Sequence, residues 1–229
     1  MDFEEEFKSA LEVSEPNFGK VVSRLGSGYN GVAYLLEGDT VLKLTKSALE
    51  AVTVNFIREL QSIDPVLYIG GIVEYFSRSY VVHGNGSDAS SIFAYKMELV
   101  RGVTRDEAAS IPKYNISGEP EDTPPSNAFF HAYRAVHAES QEKDKKKRAK
   151  LHRVYLDNLM KCESVPGYSE ATAAVISLAT SSDNGGPFLV GDFKPLNCGY
   201  SRDESGQVKA FDLYIYNVPD AKRFVPERL

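Results

Sequence analysis

Cysteine is scarce in this 229-residue chain: Cys162 and Cys198 are the only two, and no Cys-x-x-Cys spacing joins them. That excludes a disulfide framework and a cysteine-built zinc site, and points to reduced thiols. Histidine is sparse too. His83, His131, His137 and His152 lie apart, without the spacing of metal ligands. A surplus of cations is also lacking: 26 Lys and Arg stand against 32 Asp and Glu, a formal charge of −6. Such a balance argues against a general binder of nucleic acid or of an anionic membrane, because both need cations facing phosphates. No apolar run approaches the roughly 18 residues of a membrane span, and Met1 to Ala10 is acidic where a secretory leader would be basic. These absences together imply a cytoplasmic protein with neither a membrane nor a nucleic-acid partner. What remains is sufficient for a core, since 42% of the residues are hydrophobic and the length suits one domain or two small lobes.

Along the chain, residues 1–18 form one expected element. Phe3, Phe7, Ala10 and Leu11 recur at helical spacing among Glu4, Glu5, Glu6 and Lys8, which predicts a short amphipathic helix packed on the body. Residues 19–100 are strand-rich, with strands expected on both sides of a glycine turn, then at Val41–Thr45, Ile72–Phe76, Ser79–His83 and Ile92–Leu99. One helix interrupts them, capped by Ser47 and striped by Leu49, Val52, Phe56 and Leu60. These are six strand-like stretches, and the expected sheet is a five-stranded antiparallel one with one helix. Residues 101–229 turn helical after Arg101-Gly102, with a Pro- and Gly-rich loop over 111–125, a long run from Ser126, a core helix over Ala171–Ala179, and a return to strand at Val208–Ile215. The basic run Lys143–Arg148 reads as a solvated helix face without a catalytic part. The fold class is α+β.

The chemistry sits in four short stretches. Gly26-Ser27-Gly28-Tyr29-Asn30-Gly31 lies between two β-rich segments, where Gly26, Gly28 and Gly31 let backbone amides approach phosphate oxygens because no Cβ intrudes. Lys43 stands between Leu42 and Leu44, where an ammonium is costly unless an acid pairs with it. Glu59, on the following helix, is the expected partner and Glu50, in the first helical turn, the runner-up. Further on, Met97-Glu98-Leu99-Val100 ends a strand and can offer backbone groups to an adenine edge through Glu98 and Val100, with Leu25 and Val41 covering the ring. Last comes Gly191-Asp192-Phe193-Lys194-Pro195-Leu196-Asn197, followed by Asp212. There Asp192 can accept a hydroxyl proton, Lys194 can neutralise a γ-phosphoryl group, and Asn197 with Asp212 can hold Mg²⁺ through hard oxygens.

In this order and spacing the four stretches resemble the eukaryotic-like protein kinase family from residue 20 to about residue 216. The resemblance implies a bilobal protein-kinase-like fold, residues 19–100 forming the N-lobe and 101–229 a reduced C-lobe. It also implies ATP and Mg²⁺ as cofactors and transfer of the γ-phosphoryl group to Ser or Thr of protein substrates, the chain itself included. Lys194 is the serine/threonine form of that loop, while Gly191 is more similar to aminoglycoside-type small-molecule kinases. Val190 stands at the family's catalytic-loop histidine, and Asp212-Leu213-Tyr214 replaces Asp-Phe-Gly. Seventeen residues follow Asp212 (229 − 212), short of a full activation segment. These departures make the chain similar to compact bacteriophage and microbial forms, and leave two alternatives: a small-molecule kinase, or a nucleotide-binding pseudokinase acting through a partner.

Overall fold

The computed structural model describes residues 3–63, 71–87, 89–110, 128–183, 186–202 and 207–229. Two compact units account for the chain. The first comprises Met1–Ile63, Glu74–Leu99 and Asp220–Leu229, and the second Asp64–Val73 and Val100–Pro219. The expected division after residue 100 therefore lacks two features: Asp64–Val73 belongs with the second unit, and the last ten residues belong with the first.

In the first unit a helix, α1 (Phe3–Phe18), precedes strands β1 (Val21–Ser27), β2 (Gly31–Leu36) and β3 (Thr40–Thr45). Helix α2 (Ala48–Ile63) and strands β4 (Tyr80–His83) and β5 (Ile92–Glu98) follow. The sheet order is β1-β2-β3-β5-β4, closed by a sixth strand, Glu227–Arg228, which pairs in parallel with β4. Alternation along the strands sorts side chains to two faces. Leu42, Leu44, Ile92 and Ala94 share a core with Phe7, Ala10 and Phe18 of α1. The opposite residues, Phe93 among them, meet Ala51 of α2. The sheet is thus covered by one helix on each face. The strand expected over Ile72–Phe76 is reduced to isolated bridges, Ile72 with Ala210 in the second unit and Tyr75 with Met97 in the first. This segment passes from one unit to the other, so no continuous ladder can form.

The sixth strand is the main addition to the expected sheet, and α2 is its anchor. Phe224 packs edge-on against Phe56 with ring centroids 5.2 Å apart. Buried Asn55 donates through Nδ2 to the Phe224 carbonyl at 2.8 Å and accepts the Ser79 amide through Oδ1 at 2.7 Å.

The second unit is mostly helical. It contains α3 (Arg105–Ser110), α4 (Ala128–Gln141), α5 (Lys145–Glu163) and α6 (Ser169–Thr180). Its strands are short: β6 (Arg101–Gly102), β7 (Ser182–Asp183), β8 (Gly186–Pro187), β9 (Val190–Gly191), β10 (Cys198–Tyr200), β11 (Val208–Ala210) and β12 (Tyr214–Ile215). Asp144 caps α5, its carboxylate accepting the amides of Lys146 and Lys147, so the basic run opens a helix. The loop expected over 111–125 lies outside the described residues. With a mixed sheet beside one inner helix in one unit and helices dominating the other, the fold is α+β and protein-kinase-like. Among the described residues no helix is long and apolar enough to cross a membrane.

Cys162 and Cys198 are both free and fully buried. Burial pushes both thiols far above their ordinary range. Neither should react with iodoacetamide at pH 8 in the folded protein, whereas both should react in 8 M urea, as mass spectrometry of the alkylated chain would reveal.

Candidate functional site

In the first unit the central feature is the carboxylate of Glu50. Thr45 ends β3, Ser47 caps α2, and Glu50 is the third residue of the helix, at the Ser-x-x-Glu spacing of a capping box. Only half of that box forms. The Ser47 hydroxyl accepts the Glu50 amide at 3.1 Å, but the Ser47 amide donates to Thr45 Oγ1. The Glu50 side chain is thereby left to turn inward, where it is 2% exposed. There it accepts from three donors: Lys43 Nζ at 3.0 Å, Tyr95 hydroxyl at 2.7 Å and Thr45 Oγ1 at 2.9 Å. Strand register explains the convergence, because Lys43 of β3 lies directly opposite Tyr95 of β5.

The ion pair expected between Lys43 and Glu59 is therefore made by Glu50. Nine residues at about 100° each amount to half a turn, so Glu59 faces away from Glu50, and it pairs with Arg223 at 2.6 Å. Its signal lay in the sequence: Glu50 carries the capping-box spacing, whereas Glu59 has only a place on the helix.

The three glycines of the turn between β1 and β2 differ in what demands them. A Cβ on Gly31 would stand 2.3 Å from the Leu44 carbonyl oxygen, so close strand approach requires glycine there. At Gly26 and Gly28 a Cβ would meet nothing within 4 Å. Protein packing does not ask for glycine at those two positions, and the space beside them is open to a ligand. Gly31→Ala should destabilise the fold by about 2–3 kcal/mol, while Gly28→Ala should leave the urea midpoint almost unchanged. Leu25, beside this turn, is 48% exposed, whereas Val41 is 2% exposed and belongs to the strand core. Glu98 closes β5, its amide donating to the Glu74 carbonyl at 2.8 Å. Val100 lies in the second unit, against Gly199, where a Cβ would meet its side chain at 2.5 Å.

The second unit gathers the acid-lysine-amide series. Val190 and Gly191 of β9 pair with Ile215 and Tyr214 of β12. Asp192 leaves β9 with φ 62°, and Asp212 approaches β12 with φ 54°. The left-handed region is costly for most side chains and tolerated by aspartate, and such strain concentrates at functional positions. Asp192 Oδ1 meets Lys194 Nζ at 2.8 Å, while Asn197 Nδ2 donates to both Asp192 Oδ2 and the Asp192 carbonyl at 2.9 Å. A 3₁₀ turn over Pro195–Asn197 makes this return possible. Beyond it the Asn197 carbonyl accepts the Phe211 amide at 2.9 Å, immediately before Asp212. Backbone bonds thus bring Asp192, Asn197 and Asp212 into one neighbourhood. Gly191 has its own local cause: a Cβ there would lie 2.5 Å from the Tyr216 ring. Burial foremost, then the nearby Tyr133, Asp192 and Tyr214, raises the Tyr216 hydroxyl above its usual range.

As to metals, no cluster of three His, Cys, Asp or Glu side chains occurs among the described residues. Asn197 and Asp212 remain the candidates for a hydrated Mg²⁺. With its Nδ2 committed to Asp192, Asn197 has an amide oxygen to offer, and Mg²⁺ needs few protein ligands because it retains water.

No protein-family profile matches the chain, and no curated protein is significantly similar to it. Among solved structures it is similar to the GDP complex of wild-type aminoglycoside 2′-phosphotransferase-IIIa, at 14% identity and a TM-score of 0.39, over 93% of this chain and 74% of that one. The GDP and kanamycin complex of APH(2″)-IIia is similar at 15% identity and a TM-score of 0.39, over 88% and 71%. An aminoglycoside phosphotransferase from Alicyclobacillus acidocaldarius is similar at 16% and 0.33, over 85% and 63%. Likeness at this level gives no residue a role. It does correct the expected membership in the eukaryotic-like serine/threonine kinase family, and with it the protein acceptor and the protein-substrate partner, because these similar chains are aminoglycoside phosphotransferases. The residues after Asp212 supply a physical reason. Tyr214–Ile215 pairs with β9, and residues 220–229 belong to the first unit, where Glu227–Arg228 joins the sheet. The stretch where a serine/threonine kinase would begin its activation segment is thus committed to packing.

Proposed function

We propose that this chain is an ATP- and Mg²⁺-dependent phosphotransferase that acts on a hydroxyl of a small molecule. The observation that carries the reading is the bonded set Asp192, Lys194 and Asn197, with Asp212 beside it, built on two left-handed aspartates. Asp192 would take the acceptor's hydroxyl proton as the new oxygen–phosphorus bond forms and the bond from the γ-phosphorus to the departing ADP breaks. Lys194 would offset charge on the transferred group. Asn197 and Asp212 would hold Mg²⁺, which when bound neutralises phosphate charge. Lys43, held by Glu50, is assigned the α- and β-phosphates, and Gly26 and Gly28 the close backbone approach to them. Leu25, Val41, Glu98 and Val100 remain the candidates for the adenine ring. Phosphoryl transfer asks for positioning and charge compensation more than covalent chemistry, which suits so small a constellation.

Incubating the protein with γ-labelled ATP, Mg²⁺ and a panel of hydroxylated metabolites, sugars and kanamycin should move label onto at least one compound. Nucleotide binding without transfer to any acceptor or to water would favour a pseudokinase instead. Absence of nucleotide binding would end both readings.

A further inference from the structure

Val190, one residue before Gly191-Asp192, carries a carbonyl with an unusual partner. The hydroxyl of Tyr155, in α5, donates to it at 2.6 Å. Both residues are 1% exposed, so neither group has water to fall back on. β9 is only two residues long and pairs with β12 through Val190 and Gly191. A ladder this short fixes its strand weakly, and the segment leaving it must then hold Asp192 at φ 62°. The tyrosine is itself held. His152, one turn earlier, has its ring 5.9 Å from that of Tyr155, and its Nδ1 lies 3.0 Å from the buried carboxylate of Glu139 in α4. Burial first, then the Glu139 charge, raises the Tyr155 hydroxyl well above its usual range, so it remains a donor at any working pH.

We infer that Tyr155 is a positioning residue for the proposed base: its hydroxyl clamps the Val190 carbonyl and so sets the direction in which the chain presents Asp192. This role rests on the phosphotransferase reading, and nothing in the acid-lysine-amide motif announces it, because Tyr155 lies 37 residues before Asp192 (192 − 155) on a separate helix.

The test compares Tyr155→Phe with Leu159→Val, a buried substitution one turn along the same helix. In Tyr155→Phe, kcat should fall about 10- to 100-fold, the range for a slightly misplaced catalytic group, while the Kd for Mg·ATP stays within about two-fold. Leu159→Val should lose stability without that split. Hydrogen exchange supplies a readout independent of turnover: amides of residues 189–194 should exchange faster in Tyr155→Phe, and those of α6 should not. Unchanged exchange at 189–194, or a kcat equal to wild type, would overturn the inference. If the wild type proves inactive on every acceptor and on water, the phosphotransferase reading fails and the catalytic role goes with it. The exchange measurement still decides whether Tyr155 orders the loop.

Discussion

Asp192→Asn is expected to reduce phosphoryl transfer by about 10²- to 10⁴-fold, the span of a positioned proton acceptor, with Mg·ATP affinity close to wild type. The substitution suits the site. Asparagine tolerates the left-handed backbone that Asp192 occupies at φ 62°, so the turn need not rearrange. The Asn197 amide keeps one of its two bonds whatever the side chain, because it also donates to the main-chain carbonyl of residue 192. What disappears is the negative charge facing Lys194 and the ability to take a proton. Asp212→Asn separates the two acids. Losing a ligand for Mg²⁺, it should weaken Mg²⁺-dependent nucleotide binding itself, which equilibrium titration with and without the metal would measure. Wild-type transfer by Asp192→Asn would remove Asp192 from the chemistry, and equal nucleotide affinity in Asp212→Asn would remove Asp212 from the metal site.

How much of this was legible in the sequence depended on the range of the interaction. Register and periodicity made α2 and β1 to β5 readable, because hydrophobic alternation and the Ser47 cap act within a few residues. The Asp192 turn was readable for the same reason: its bonds reach only to Lys194 and Asn197. Contacts across many residues left little trace. Glu227–Arg228 is two residues long and charged, with nothing of a strand pattern, and the parallel edge of β4 fixes it, aided by Phe224 on Phe56. Tyr155 reads as one more apolar position on its helix until its partner, 35 residues on (190 − 155), is known. Weighing place on the helix alone led away from the correct acid, since it favoured a mid-helix glutamate over the one that local capping chemistry had set beside Lys43. The resemblance also suggested a protein acceptor, although Tyr214–Ile215, just after Asp212, is paired with β9.

Glu50→Ala is expected to cost about 3–5 kcal/mol of folding stability, the penalty for stranding one member of a buried ion pair, whereas Glu59→Ala should cost under about 1 kcal/mol, as exposed pairs do. Both are helix glutamates paired with a cation, so net charge and helix propensity change alike. Their surroundings differ. Glu50 is 2% exposed and the Lys43 side chain 11%, while the Glu59 and Arg223 side chains are 36% and 63% exposed. Removing the Glu50 carboxylate also withdraws the acceptor of the Tyr95 and Thr45 hydroxyls, and buried donors deprived of a partner carry their own desolvation cost. Urea denaturation of the two variants gives the comparison directly. Nucleotide titration under native conditions adds the functional half: Glu50→Ala should bind Mg·ATP more weakly, because Lys43 loses the partner that holds it in place, and Glu59→Ala should bind it as the wild type does. The reverse order of effects would return Glu59 to the role that its place on the helix first suggested.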